Sequence, residues 1–268
     1  MPDDNYATTA PLCARADFNA AHGSRSWLGW VADRLPPWES GARILDAGCG
    51  PGWFWDAVTR RDRPSFDLTL LDRSEAMVAA AERRLARLRP RGVVADLADP
   101  AANGIAGPFD RIVCMNVLYH LDDPGAALDG LAARLAPGGA MAVTTITQDD
   151  LPEVNALTRD AYGHDPVAPL HDRFGAAVAE RLLRARFASV ERHDSRDRYD
   201  ITDAALLTSH ILSIPPGPAL SDADRAAVGR SVAERIAAAG GTLADRRVQT
   251  LFVLRPQLVA ETRTSSSG

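Results

Sequence analysis

Short apolar runs alternate with longer amphipathic stretches through the first half of the chain. The stretches between the runs have helical spacing, as at 74–88 and 124–136. Strands that alternate with helices of about ten to fifteen residues predict right-handed crossovers and a parallel sheet covered on both faces. The runs that predict buried strands are 42–46, 68–71, 92–97, 109–115 and 140–146.

A further helix is predicted ahead of this alternating region, over residues 25–35. Trp27 and Trp30 recur at helical spacing behind Ser24 and Ser26, either of which can cap a helix N-terminus. The prolines that follow cannot continue a helix, so this segment should end before the first strand.

The pattern weakens after residue 147. Residues 148–186 collect Asp, Pro, His and Arg without a regular period, so we interpret them as an insertion or lid rather than core. A strand is predicted over 187–193, and the segment 199–240, which holds two helical stretches, is interpreted as a second part of the lid. Apolar residues return at 247–254, which predicts the closing strand.

Composition narrows the classes of function. The formal net charge of -5 argues against the broad basic surface of a nucleic-acid binder. No apolar run approaches the roughly 18 residues of a membrane span, and residues 1–10 lack the pattern of a secretory signal. The 3 cysteines form no CxxC pair, which predicts reduced thiols and no metal site. We therefore expect a cytoplasmic protein with no membrane or nucleic-acid partner.

Chain length predicts the domain organisation, and arginine usage indicates the type of genome. With 268 residues the chain can bury a full hydrophobic core, and we predict one domain over 1–261 with its ligand-binding core at about 40–147. The Ser/Thr-rich tail, 262–268, is predicted to be disordered. All 30 basic residues are Arg, a bias that indicates a GC-rich bacterial genome.

A glycine-rich loop follows the first predicted strand in the segment ILDAGCGPG, residues 44–52. Its spacing is GxGxG, and Trp53 stands where a dinucleotide-binding GxGxxG loop needs its third glycine. Glycine permits a positive φ and the close approach of a ligand to the backbone. Asp46 precedes the loop, and a carboxylate there repels a pyrophosphate but pairs with the ammonium of an amino acid.

Polar residues end the next predicted strands. Asp72 lies 20 residues after Gly52, where a carboxylate can accept both ribose hydroxyls of a nucleoside. Asp96 and Leu97 offer a polar group for the adenine amine and an apolar wall for its ring. Asn116 follows the fourth strand. Because open α/β sheets bind ligands at the carboxyl ends of their strands, we expect these residues to converge on one site.

A family resemblance rests on the segments ILDAGCGPG, LTLLDRSEAM, VVADL, FDRIVCMNVLYHLDDP and LAARLAPGGAMAVTT. In order and spacing they resemble the motifs of class I S-adenosylmethionine-dependent methyltransferases, of the broad small-molecule type 11 group. The resemblance covers about residues 40–147. It implies an α/β fold with a Rossmann-like, seven-stranded, mostly parallel sheet, helices on both faces, an antiparallel last strand and helical insertions that form a lid.

The resemblance also implies a reaction and its cofactor. Methyl would pass from S-adenosylmethionine to an oxygen, nitrogen or carbon of a small molecule in bacterial secondary metabolism, leaving S-adenosylhomocysteine. Such a displacement depends mainly on alignment and on exclusion of water. The implied cofactor contacts are Asp46, Gly48, Cys49 and Gly50 in the loop, Asp72, Arg73 and Met77 after the second strand, and Asp96, Leu97 and Asn116 farther along.

Residues after the fourth strand and in the lid are candidates for contact with the acceptor. His120 is a candidate general base, because it follows the strand beside the expected methyl position and imidazole titrates near neutral pH. A cofactor contact or a structural role is its alternative. Tyr119 is a candidate for orienting the acceptor or lining its pocket. In the lid, the candidate acceptor contacts are Tyr162, His171 and Arg173.

Other functions stay open at this stage. A protein of the same fold that binds S-adenosylmethionine without methyl transfer, such as a cyclase, is the main alternative, because fold does not determine function. Trp53 and Asp46 argue against a nicotinamide-dependent oxidoreductase. Residues 116–119 are Asn-Val-Leu-Tyr, which differs from the Asn-Pro-Pro-Tyr type of motif in nucleic-acid and protein methyltransferases.

Overall fold

A computed structural model describes residues 8–37, 39–61, 65–99 and 105–255. Its strands are β1 (Arg43–Ala47), β2 (Asp67–Asp72), β3 (Arg91–Val94), β4 (Phe109–Met115), β5 (Leu135–Ile146), β6 (Ser189–Ile201) and β7 (Leu243–Arg255). They form one seven-stranded sheet in the order β3-β2-β1-β4-β5-β7-β6. β1 to β5 pair in parallel, and β7 runs antiparallel to both of its neighbours. The predicted Rossmann-like sheet with an antiparallel last strand is confirmed.

Helices cover both faces and one edge of the sheet. Within the described ranges they are α1 (Ala10–His22), α2 (Trp27–Ala32), α3 (Trp53–Arg61), α4 (Glu75–Arg84), α5 (Pro124–Ala132), α6 (Pro152–Tyr162), α7 (Ala168–Phe174), α8 (Ala176–Arg184), α9 (Ala204–Leu212) and α10 (Asp222–Ala238). The hydroxyls of Ser26, Ser74 and Ser221 cap α2, α4 and α10, each accepting a backbone N–H of the first turn.

The central strands are buried on both faces, as parallel strands between helical layers must be. Ile44 and Leu45 of β1 point to opposite faces and are 0% and 1% exposed. On the Leu45 face the core includes α5 and Leu183 of α8. On the Ile44 face it includes Trp30 of α2 and Trp55 of α3. These two layers hold the carboxyl ends of β1, β2 and β4 side by side.

A third apolar cluster lies beyond the carboxyl edge of the sheet. The last residue pair between β5 and β7 is Ile146 with Gln249, yet β6 and β7 remain paired through to Ile201 and Leu243. β6 and β7 therefore project past the sheet as a two-stranded ribbon, and α1, α6, α9 and α10 pack around it. We call this ribbon, 195–201 with 243–249, together with the four helices, the cap.

The interpretation of 148–186 as an irregular insertion outside the core is wrong for its second half. Phe174 of α7 and Leu183 of α8 are 0% exposed inside the main core. The Thr145 hydroxyl of β5 donates to the carbonyl of Phe174. The crossover from β5 to β6 needs a helix on the sheet. Two short helices that meet at Gly175 supply it, and the amphipathic sequence of α8 is a signal that the sequence interpretation missed.

Strand bounds also differ from the predictions. The third strand is shorter and ends at Val94. The fifth begins earlier, at Leu135, because residues 137–139 form an irregularity in the β4–β5 register. The sixth extends to Ile201 through charged residues, since one face of the ribbon stays in water. Residues 199–201, assigned to the lid from sequence, therefore belong to a strand.

α1 has no counterpart among the predicted elements. Its N-cap residue, Thr9, makes no side-chain hydrogen bond, and Phe18 is its only buried residue. Neither capping nor apolar period therefore marks it in the sequence. The predicted tail at 262–268 lies outside the described residues.

Candidate functional site

The glycine loop after β1 and the turn after β4 meet at Gly48. Gly48 has a φ of +81°, and its N–H donates to the carbonyl of Leu71 over 2.7 Å. A Cβ at this position would lie 2.7 Å from Cγ2 of Val117. Glycine is therefore required here by backbone conformation and by a contact within the protein. That contact brings the carboxyl ends of β1 and β4 together.

Gly50 faces open space and is hydrogen-bonded to Asp72. Its φ is +50°, and an added Cβ would meet nothing within 4 Å. Its N–H donates to Oδ2 of Asp72 over 2.9 Å, and the N–H of Ser74 donates to Oδ1 over 3.0 Å. Each carboxylate oxygen keeps a lone pair, so Asp72 can still accept two hydroxyl groups. The open cradle and the oriented carboxylate fit the ribose of a nucleoside.

Asp46 is buried at the end of β1, next to this loop. It is 3% exposed, and its Oδ2 accepts the indole N–H of Trp55 over 2.7 Å. Burial raises the pKa of Asp46 to about 7; the Trp55 hydrogen bond opposes that rise and the charge of Asp72 adds to it. An ammonium group beside Asp46 would favour the ionised carboxylate, so this residue fits the amino-acid end of S-adenosylmethionine.

Cys49 and Met77 contribute less than their positions in the motifs imply. The Cys49 thiol packs in the core with Trp55, and burial raises its pKa, with neighbouring carboxylates adding to the rise. Its sulfur is therefore a neutral thiol held inside the protein. Met77 of α4 is 1% exposed, which limits it to an apolar contact.

The residues predicted to border the adenine and the sulfonium are spread along the same edge. Asn116 has a φ of +54° and donates its N–H to the Thr144 carbonyl over 3.2 Å, so it bends the chain sharply after β4. Asp96 is exposed, and its Oδ1 accepts the N–H of Ala98 over 2.8 Å. Leu97 is 6% exposed and packs in the main core. Their cofactor contacts stay predictions.

His120 and Tyr119 lie in a short helical turn after β4. Their rings meet edge to face, with centroids 4.6 Å apart. Burial, and then the positive charges of Arg73, Arg15 and Arg173, lower the pKa of His120 to about 4. The expectation of an ordinary imidazole pKa is therefore wrong. The ring is neutral at pH 7 and can accept a proton, but it is a weaker base than an ordinary histidine.

α7 packs against the turn that carries these two rings. Arg173 at its end has Nη2 3.6 Å from Oδ1 of Asp122. His171 has a buried Nδ1 that makes no hydrogen bond to any described residue. Tyr162 is different, because its hydroxyl donates to the carbonyl of Ile211 over 2.6 Å and so holds α6 on α9. The structure gives Tyr162 a packing role in the cap, and its acceptor contact stays a prediction.

Three residues of this region were not recognised from the sequence. Trp55 is 0% exposed, and its indole N–H donates a hydrogen bond that orients Asp46. Val117 closes on Gly48. Arg15 of α1 is half-buried in the cap, where its Nη1 donates to the carbonyl of Ser213 over 3.0 Å. The only sequence signal among them is the position of Trp55 on the helix that follows the glycine loop.

Two further properties of the described residues bear on the site. No helix among them is long and apolar enough to cross a membrane. No group of three or more of their His, Cys, Asp or Glu side chains could hold a metal ion. Cys13, Cys49 and Cys114 are free thiols.

Comparison with known proteins identifies the family. The profile described as a methyltransferase domain matches residues 20–212, which is more than half of the chain. The chain belongs to this family. The resemblance to class I S-adenosylmethionine-dependent methyltransferases, inferred from the motifs, is confirmed.

Similar proteins include enzymes with different substrates and one solved structure that shares the fold. A ubiquinone biosynthesis O-methyltransferase from Xylella fastidiosa is 35% identical over 125 residues, 45% of this chain and 48% of that protein. A trans-aconitate 2-methyltransferase from Methylobacterium nodulans is 36% identical over 156 residues, 58% of this chain and 56% of that protein. The match thus spans about half the length of these relatives. The cyclase SpnF has a TM-score of 0.55 at 22% identity over 94% of both chains, so it shares the fold.

Proposed function

We propose that this protein transfers a methyl group from S-adenosylmethionine to an oxygen, nitrogen or carbon of a small molecule. The observation that carries the proposal is the arrangement around Asp72, whose two oxygens each accept one backbone N–H beside the open space at Gly50. Membership of the methyltransferase family supports the same reaction. A nicotinamide cofactor fits less well, because Asp46 would repel its pyrophosphate.

The bound cofactor supplies a methyl group on a positively charged sulfur, which is a good leaving group. The protein then has to hold the two reactants in line and keep water out. Asp46 pairs with the ammonium, Asp72 accepts the ribose hydroxyls, and Asn116 borders the methyl end. The other proposed cofactor contacts are Gly48, the backbone of Cys49, Gly50, Arg73, Met77, Asp96 and Leu97.

We propose that His120 accepts a proton from the acceptor at an imidazole nitrogen when the acceptor is protonated. The lowered pKa keeps the ring neutral at pH 7, so the imidazole is in its basic form. The same low pKa makes His120 a poor base toward weak acids. It therefore suits an acceptor whose proton is acidic. Tyr119 lines the pocket beside it.

We propose that the acceptor binds between the sheet edge and the cap, beside the turn that carries His120, against which α7 packs. The two relatives named above are, by their names, enzymes of small-molecule metabolism, which supports a small acceptor. Both are bacterial, and the free thiols of this chain fit a reducing compartment. On these grounds we propose that the reaction takes place in the cytoplasm of a bacterium. Its place in secondary metabolism is proposed from the motif resemblance alone.

A second candidate function is a reaction on the same cofactor-binding fold without methyl transfer. The fold shared with the cyclase SpnF over 94% of both chains favours keeping this candidate. The two functions predict different products. Methyl transfer adds one methyl group to the acceptor and releases S-adenosylhomocysteine, whereas cyclisation leaves both the substrate mass and the cofactor unchanged. Mass spectrometry of products from an acceptor screen decides between them.

The cofactor site itself is tested by isothermal titration of S-adenosylhomocysteine into wild type and Asp72→Ala. We expect the substitution to weaken binding by about 30- to 100-fold, because it removes charge-assisted hydrogen bonds to the ribose. Asp67→Ala is the matched control, since Asp67 is an exposed carboxylate at the opposite end of the same strand. Equal affinity of wild type and Asp72→Ala would contradict the proposed site.

A further inference from the structure

Two arginines from distant parts of the chain act on His120 through their positive charges, and one of them, Arg173, lies on the helix that packs against its turn. Arg15 lies on α1 in the cap and is half-buried, with Nη1 3.0 Å from the carbonyl oxygen of Ser213 at the end of α9. Arg173 lies near the end of α7, which packs against the turn. The fold thus brings one guanidinium from the cap and one from the sheet crossover to the proposed acceptor position.

Neither guanidinium is neutralised inside the described part of the protein. No described carboxylate lies within ion-pair distance of Arg15, whose recorded partner is the neutral Ser213 carbonyl. Arg173 lies 3.6 Å from Asp122, but that carboxylate is 99% exposed, so water screens the pair. Both positive charges act on His120, where they add to the effect of burial in lowering its pKa.

A buried histidine of the cap has a ring nitrogen without a hydrogen-bond partner among the described residues. His210 of α9 is 6% exposed, and its ring lies against Phe18 of α1, with centroids 4.3 Å apart. Its Nδ1 is buried and makes no hydrogen bond to any described residue. Burial, followed by the charges of Arg247, Arg15 and His22, lowers its pKa to about 3. A neutral imidazole in the Nδ1–H tautomer can donate to an oxygen held near Arg15.

We propose that the methyl acceptor is a carboxylate-bearing small molecule held by Arg15 and Arg173 beside His120. This inference rests on the proposed function. The planar guanidinium matches a carboxylate through two parallel hydrogen bonds. The same charges, together with the sulfonium of the cofactor, repel a protonated amine. The pair therefore selects an anionic acceptor over a neutral or cationic one.

The test is isothermal titration of citrate, glutarate and benzoate into wild type saturated with S-adenosylhomocysteine, at constant ionic strength. The ethyl ester of each acid is its neutral control. We expect at least one acid to bind more tightly than its ester. Arg15→Gln and Arg173→Gln should each weaken that binding by about tenfold.

Two further variants are controls. Arg230 is an exposed arginine of α10, and Arg230→Gln should bind the acid as wild type does. Arg15→Lys should recover part of the loss, because it keeps the charge without the paired donors.

Three outcomes would overturn the inference: equal binding of acids and esters, unchanged acid binding in Arg173→Gln, or no acid binding by protein that binds S-adenosylhomocysteine normally. Loss of S-adenosylhomocysteine binding by wild type would instead contradict the proposed function. Arg15 also joins α1 to α9, so the thermal unfolding of its variants is measured first. Arg173→Gln tests the inference even if Arg15→Gln does not fold, because the only described ion pair of Arg173 is at the surface.

Discussion

We call the carboxyl ends of β1, β2 and β4, with the loop 48–52, the cofactor edge. Its contacts differ in kind from those of the cap. At the cofactor edge the key hydrogen bond joins Gly50 to Asp72, 22 residues apart, and the donor is a backbone N–H. In the cap the corresponding bond joins Arg15 to Ser213, 198 residues apart, and the donor is the end of a long side chain. The proposed cofactor site therefore lies in short local motifs, whereas the proposed acceptor site depends on packing between distant segments.

Burial destabilises the ionised carboxylate of Asp46 at the cofactor edge. A carboxylate in ordinary surroundings is fully ionised at pH 7, yet burial raises the pKa of Asp46 to about 7. The free protein thus holds a partly protonated acid at the place where the motif requires an anion. Binding of a cationic group stabilises that anion, which couples ligand binding to ionisation.

The largest effect is expected from alanine substitutions in the glycine loop. Comparing the stability and the ligand affinity of Gly48→Ala and Gly50→Ala tests whether the backbone forms the cofactor edge. Gly48→Ala should unfold or destabilise the protein by about 2–4 kcal/mol, because the methyl group overlaps Val117 and the φ is unfavourable. Gly50→Ala should cost only about 1–2 kcal/mol for its left-handed φ, while its methyl group enters the open space and weakens S-adenosylhomocysteine binding. Thermal unfolding and ligand titration separate the two effects.

Gly41→Ala is the matched control for these variants. It also has a positive φ, +80°, and nothing within 4 Å, but it lies before β1 at the opposite edge of the sheet. It should lose a similar amount of stability to Gly50→Ala and keep wild-type affinity. If Gly50→Ala also kept wild-type affinity, the open space at Gly50 would not be the ligand cradle.

A smaller effect is expected from Asp46→Asn, which should raise the stability of the protein and lower its affinity for S-adenosylhomocysteine. The folded-state pKa lies above the ordinary value of 3.8, so ionised Asp46 opposes folding increasingly as pH rises from 3.8 to about 7. The variant keeps an acceptor for Trp55 and should unfold about 2–6 °C higher than wild type at pH 8, with a smaller gain at pH 5.5. Its affinity for S-adenosylhomocysteine at pH 8 should fall about tenfold.

The wild-type protein provides the internal check. Its affinity for S-adenosylhomocysteine should rise between pH 6 and pH 8 as Asp46 ionises, and this rise should be absent in Asp46→Asn. An equal stability gain at pH 5.5 and pH 8 would contradict the raised pKa and leave Asp46 as an ordinary ionised carboxylate.

The smallest effect is expected at His120, where the two regions meet. With a pKa of about 4, lowered by burial and by Arg73, Arg15 and Arg173, the ring is in its basic form throughout pH 6–8. At saturating cofactor, kcat should therefore show no His120 titration in this range, and His120→Gln should lower kcat by about tenfold or less. A kcat that falls below pH 6.5 in wild type but not in His120→Gln would show an ordinary histidine.

The sequence located the strands of the cofactor edge well. The predicted strand at 109–115 coincides with β4, and the run at 42–46 lies within one residue of β1. These strands are buried on both faces, so apolar runs mark them directly. The charged second half of β6 and the weakly buried α1 carry no such mark, because their hydrophobic partners come from segments far away in the chain.

By itself the sequence determined the family, the fold class and the cofactor edge, because glycine spacing and strand-end carboxylates act through neighbouring backbone. Only the tertiary structure decided that Val117 closes on Gly48, that Trp55 donates a hydrogen bond to Asp46, and that the charges of arginines from α1 and α7 act on His120. Burial and long-range charge depend on which distant segments pack together, and residue spacing does not contain that information.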